Sequence, residues 1–75
     1  MPRLPAISGK EAVDAFEKAG WRVARREGSH IILTKVGVPT ILSVPAHREV
    51  RRGTLRSLIR KAGLSVEEFI ALVRD

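Results

Sequence analysis

The chain has 75 residues, a net charge of +6, an isoelectric point near 11.2 and no cysteine. A chain this short is expected to fold as one domain over residues 1–75 that buries only about 60% of its unfolded surface, so any active site should lie on an outer face or in an open groove. Without cysteine there are no disulfides, thiolate metal sites or cysteine nucleophiles. The two histidines lack zinc-ligand spacing, and no run approaches the roughly 18 apolar residues of a membrane span. No metal and no cofactor are expected, and the start of the chain lacks a signal-peptide core, so a cytoplasmic protein is the expectation.

Met1 to Ile7 carries two prolines and reads as an extended lead-in. Ser8-Gly9-Lys10-Glu11 fits a capping box, in which Ser8 and Glu11 satisfy the orphan amides of a helix start. Ala12, Val13, Phe16 and Ala19 continue at helical spacing to a stop at Gly20. From Trp21 to Arg26 the pattern alternates, with Trp21 and Val23 on one side and Arg22 and Ala24 on the other, as in a half-buried strand. Trp21 reads as the largest core residue. Glu27-Gly28-Ser29 reads as a turn, in which Gly28 supplies backbone freedom, into a second strand from His30 to Lys35. Val36 to Pro39 is a short connection to a third strand, Thr40 to Val44, which completes an antiparallel meander.

Pro45 to Gly53 reads as a loop with Thr54 as N-cap of a second helix. Leu55, Leu58, Ile59 and Ala62 form its apolar stripe, while Arg52, Arg56 and Arg60 recur on another face. Ser65-Val66-Glu67-Glu68 repeats the capping box and opens a last helix with Phe69, Leu72 and Val73 inward. The order αβββαα gives an α+β two-layer sandwich, a three-stranded antiparallel sheet with helices on one face, because each helix has one apolar stripe to bury.

The charge is concentrated. Between His47 and Lys61 six cations stand against Glu49 alone, so +5 of the net charge falls in that segment. Such a face suits a polyanion, since cations on phosphates gain from counterion release. His30, at a turn-to-strand junction, is the candidate for proton transfer, because an imidazole alone titrates unperturbed between pH 5 and 8. RNA needs little more than that, since its 2′-hydroxyl is a nucleophile already beside the phosphorus. Metal-dependent nuclease chemistry would need clustered carboxylates, and the acids here are scattered. Arg52, Arg56 and Arg60 are expected to bind phosphates, with Arg25, Arg26 and Lys35 as a second group flanking the His30 hairpin. Ser29 and His47 are further candidates for RNA contact.

Read together and in order, Gly20-Trp21, Gly28-Ser29-His30, Val44-Pro45-Ala46-His47, Gly53-Thr54-Leu55-Arg56-Ser57, Ala62-Gly63-Leu64 and Glu68-Phe69 closely resemble the HicA toxin family, over Ser8 to Val73. The resemblance implies a double-stranded-RNA-binding-domain-like αβββα fold and an mRNA interferase, a toxin that cuts RNA until a cognate HicB antitoxin covers its active site. It also implies that the histidine of the Gly-Ser-His turn, His30, is catalytic. The family often has a second histidine or another polar residue directly after it, where this chain has Ile31, which speaks against a two-histidine mechanism at the turn and leaves a single-histidine mechanism intact. The alternatives are a non-catalytic RNA-binding module of the same fold, which a fold alone supports equally, and an interaction domain for an acidic protein. An antitoxin is expected to be acidic and to lie over His30 together with the basic segment.

Overall fold

A computed structural model describes residues 3–75; Met1 and Pro2, the start of the expected lead-in, lie outside the described residues. Helix α1 (Gly9–Lys18) begins where the capping box requires. The Ser8 hydroxyl accepts from the Glu11 N–H at 3.1 Å, and the Glu11 carboxylate accepts from the Ser8 N–H at 3.0 Å. Strands β1 (Arg22–Glu27), β2 (His30–Lys35) and β3 (Val38–Pro45) form one antiparallel sheet in the order β1-β2-β3. Helices α2 (Arg52–Lys61) and α3 (Val66–Arg74) follow. The architecture is therefore the expected α+β αβββαα arrangement.

One face of the sheet carries the core. Leu33, Leu42 and Val44 are buried with Ala12, Phe16, Leu55, Ile59 and Phe69 of the helices, and Trp21 closes the same cluster at 2% exposure. Ile32 points the other way by strand alternation and stands outside this cluster, so the helices cover one face and leave the other open. Trp21 is thereby withdrawn from any stacking on a base. The lead-in is more than a connector, because Leu4 and Ile7 are both buried in the core.

Helix α3 is anchored on α1. Phe16 and Phe69 pack with ring centroids 5.0 Å apart, tilted by 44°, a geometry that adds about 0.5–1.5 kcal/mol to the burial itself. The Lys18 ammonium donates to the carbonyls of Leu72 and Asp75 at 3.0 and 2.6 Å, placing a cation at the negative end of α3. At its start, α3 repeats the Ser65–Glu68 capping box.

Three boundaries and the burial of one strand differ from the sequence reading. Helix α2 starts two residues before Thr54, with Arg51 at the N-cap and no side-chain cap, so Thr54 lies within its first turn. Packing of Leu55, Leu58 and Ile59 against the core decides that start. Strand β3 runs from Val38 to Pro45 because the connection before it is a two-residue turn, Val36-Gly37. The turn into β2 is also two residues, Gly28-Ser29, with Gly28 at φ +58°, a left-handed conformation that an L side chain would resist. Strand β1 is exposed along its whole length instead of half-buried, Val23 included at 48%. It is an edge strand, and its alternation breaks at a bulge that leaves Ala24 unpaired between Val23 and Arg25.

The caps and the close contacts can be tested through stability. Gly9 lies against the backbone of the β3 end, where an added Cβ would overlap the Pro45 carbonyl oxygen and approach the Ala46 Cα to 3.1 Å. Gly9→Ala should lower the urea midpoint by the equivalent of about 1–3 kcal/mol, although alanine at an open helix position is stabilising. At α3 the hydrogen bonds from Ser65 hold the Glu68 carboxyl below its ordinary value of 4.5. Folding thus favours its ionised form, and the contribution is in place above that value and lost as pH falls through the lower folded one. Urea unfolding of the wild type and Glu68→Gln should show a gap that narrows on going from about pH 6 to about pH 3; a constant gap would mean the ionised cap contributes nothing.

Candidate functional site

His30 opens the central strand and is exposed. Its backbone is held on both sides, paired with Glu27 of β1 and Pro45 of β3. Directly paired residues project to the same side of a sheet, and neighbours along a strand to opposite sides. His30 therefore shares the open face with Ile32, Thr34, Glu27 and Ser43, while Ile31 turns into the helix layer. A side chain at position 31 therefore does not sit beside His30 on that face.

The bulge at Ala24 sorts the two arginines of β1. Arg25 pairs with Ile32 and Arg26 with Ile31, so Arg25 reaches the open face and Arg26 the helix side. Unbroken alternation would have sent each to the opposite face. Arg25 forms an ion pair with Glu27 beside His30, both side chains more than half exposed. Arg26 donates to the Gly28 carbonyl at 3.3 Å, which steadies the turn carrying Ser29. Ser29 is exposed, and its carbonyl accepts from the Ala46 N–H at 2.7 Å.

Lys35 is not beside His30. It ends the strand that His30 begins, roughly 17 Å away at about 3.4 Å per residue. It also points into the helix layer, where its ammonium donates to the Ala19 carbonyl at 2.9 Å and caps the end of α1. The backbone of His47 is fixed, its carbonyl accepting from the Gly9 N–H at 2.9 Å, while its imidazole is exposed. Its side chain lines a cleft on the helix side together with Lys10, Arg26, Arg48, Ile31 and Ala46.

Arg52, Arg56 and Arg60 occupy one exposed stripe of α2, flanking its buried stripe of Leu55, Leu58 and Ile59. Arg56 and Arg60 border a crevice of about 300 Å³ between α2 and α3, floored by Ile59, Leu64 and Val66. Because α2 packs on the covered side of β3, this stripe and His30 belong to different faces. The expected single surface holding the histidine and the +5 segment is therefore divided in two. Sequence reasoning missed Glu27 and Ser43 as neighbours of His30. The signal was present in the two-residue loop, which places the residues flanking Gly28-Ser29 directly opposite each other. It also passed over Lys10 and Arg48, which only the approach of α1 to the end of β3 brings together.

Fold and site together describe a small cationic α+β protein that presents one histidine on an uncovered sheet. The family model described as HicA toxin of bacterial toxin-antitoxin matches residues 9–64, and the chain belongs to that family. It is thus a toxin of a toxin-antitoxin system, whose counterpart is a cognate antitoxin. The match covers α1 through α2 and stops short of α3. No curated protein matches the chain. Among the described residues no helix is long and apolar enough to cross a membrane, and no three His, Asp or Glu side chains gather as a metal site.

Proposed function

We propose that this toxin is a metal-independent endoribonuclease that cleaves mRNA with His30 as general acid and base. The observation that carries the reading is the placement of His30: exposed, at the head of the central strand, pinned by backbone pairing on both sides and open to a strand of RNA lying across the sheet. The imidazole takes the proton of a ribose 2′-hydroxyl as the 2′-oxygen attacks the adjacent phosphorus. It returns the proton to the departing 5′-oxygen as the P–O5′ bond breaks, leaving a 2′,3′-cyclic phosphate and a 5′-hydroxyl. Arg25, on the same face, is placed to offset charge on the phosphate oxygens. Arg26, Ser29 and His47 contact the strand near the turn, and Arg52, Arg56 and Arg60 bind phosphates beyond the sheet. Lys35 contributes to folding through its bond to Ala19 instead.

The cognate antitoxin is proposed to be HicB-like and to act by covering the open sheet face. That face alone holds the histidine, and it presents Ile41, further along β3, at 47% exposure as an apolar contact. Blocking cleavage does not require the same protein to reach α2.

His30→Ala should lose at least about 10²-fold in cleavage rate while RNA affinity changes little. The assay is RNA cleavage in EDTA, with a substrate carrying 2′-deoxyribose at the scissile position expected to resist. Full activity in the variant would remove His30 from the mechanism. Wild-type protein that binds RNA without cutting it would leave the binding-module reading. Substituting Arg52, Arg56 and Arg60 together should weaken RNA binding across sequences and reduce the salt slope by about 0.7 to 1 for each phosphate no longer neutralised. An unchanged slope would make this stripe a solvated helix face only.

A further inference from the structure

The cleft on the helix side of the His30 end has a volume of about 480 Å³, and His30 is not among the residues that line it. Ile31 and Ala46, both half-buried, form its floor. Lys10 of α1, Arg26 of β1, and His47 and Arg48 of the loop after β3 form an exposed rim that carries three cations and an imidazole. Among the described residues no carboxylate lines it. The one ion pair these four make among the described residues is Lys10 with Asp14, at 3.7 Å and open to solvent. The walls are held by backbone: Gly9 N–H to His47 carbonyl and Ala46 N–H to Ser29 carbonyl tie helix, turn and loop together. The N-terminus of α1 is occupied by its own capping box, so the attraction for an anion comes from the rim side chains.

An apolar floor beneath four donors complements a ligand with a flat apolar body and an attached anion. Inorganic phosphate would leave Ile31 and Ala46 unused, and an apolar peptide would leave the cations unmatched. The volume falls within the roughly 300–1,000 Å³ typical of small-ligand clefts. We infer that this cleft seats one nucleotide of the RNA strand, its base on Ile31 and Ala46 against the His47 ring and its phosphate among Lys10, Arg26 and Arg48. The inference rests on the RNA-cleavage reading for its place in the reaction. His30 and Ile31 are consecutive and face opposite ways, so a strand passing around the Gly28-Ser29 turn puts one nucleotide at the histidine and a near neighbour in the cleft. The cleft then sets which bond is presented to His30 and contributes base preference.

The test is a ¹⁵N NMR titration of the whole chain with adenosine 5′-monophosphate, uridine 5′-monophosphate, adenosine and inorganic phosphate. The nucleotides should shift the amides of Lys10, Arg26, Ile31, His47 and Arg48, and at least one should bind about tenfold or more tightly than adenosine or phosphate alone. The double variant His47→Ala, Arg48→Glu changes exposed side chains only. With an unchanged circular dichroism spectrum it should lose about tenfold or more of that affinity, whereas His30→Ala should keep it. Shifts confined to α2 or to the open sheet face, phosphate binding as tightly as the nucleotides, or a folded double variant with full affinity would each overturn the assignment. Nucleotide binding in the cleft by a wild-type protein that cuts no RNA would uphold the site and remove the cleavage reading. RNA cleavage with no nucleotide shifts in the cleft would do the reverse.

Discussion

The backbone contact between Gly9 and the end of β3 is the constraint on which the rest of the structure depends. It allows the first turn of α1 to touch the Pro45–Ala46 backbone, and its N–H bonds to His47. Ala46 in turn bonds to Ser29, and Val50 to Ile7. One helix start, one hairpin turn, one strand end and one loop are thereby joined at the end of the sheet where His30 stands. A thin core could not hold these pieces by burial alone, because a domain of this size buries a modest share of its surface. Short backbone hydrogen bonds between segments distant in sequence supply the positional precision that the core does not.

A second constraint is the bulge at Ala24. One extra residue in an edge strand changes the side from which every following side chain projects. Here it directs Arg25 and Glu27 toward the histidine and Arg26 toward the cleft. The two faces are thus chemically distinct. The open face has a nearly charge-compensated pair beside a single imidazole, while the helix side carries the cationic cleft and the stripe on α2.

For a toxin that must be silenced by a partner, this division separates two tasks. His30 stands on a small uncovered sheet surface that one protein can occlude. Most of the positive charge lies elsewhere, so on the proposed reading the cations that would draw RNA and the histidine that would act on it need not be neutralised together. The appended α3, held by Phe16–Phe69 packing and the Lys18 hydrogen bonds, closes the layer opposite the sheet and leaves the crevice beside Arg56 and Arg60.

Local chemistry made much of this protein legible from residues alone. The two capping boxes, the apolar stripes of α1, α2 and α3 and the three short apolar or alternating runs need only neighbours within a few positions, and all appear as elements in the expected order. His30 at a strand head follows from the same local rules. The side from which each cation projects did not, because it depends on register, and register is set by cross-strand pairing and by bulges that no single strand encodes. The early start of α2 and the burial of Leu4 and Ile7 were decided by packing against distant residues. The diversion of Lys35 to the end of α1, the gathering of Lys10, Arg26, His47 and Arg48, and the separation of His30 from the basic helix exist only once the chain has closed on itself, because each needs residues far apart in sequence to meet.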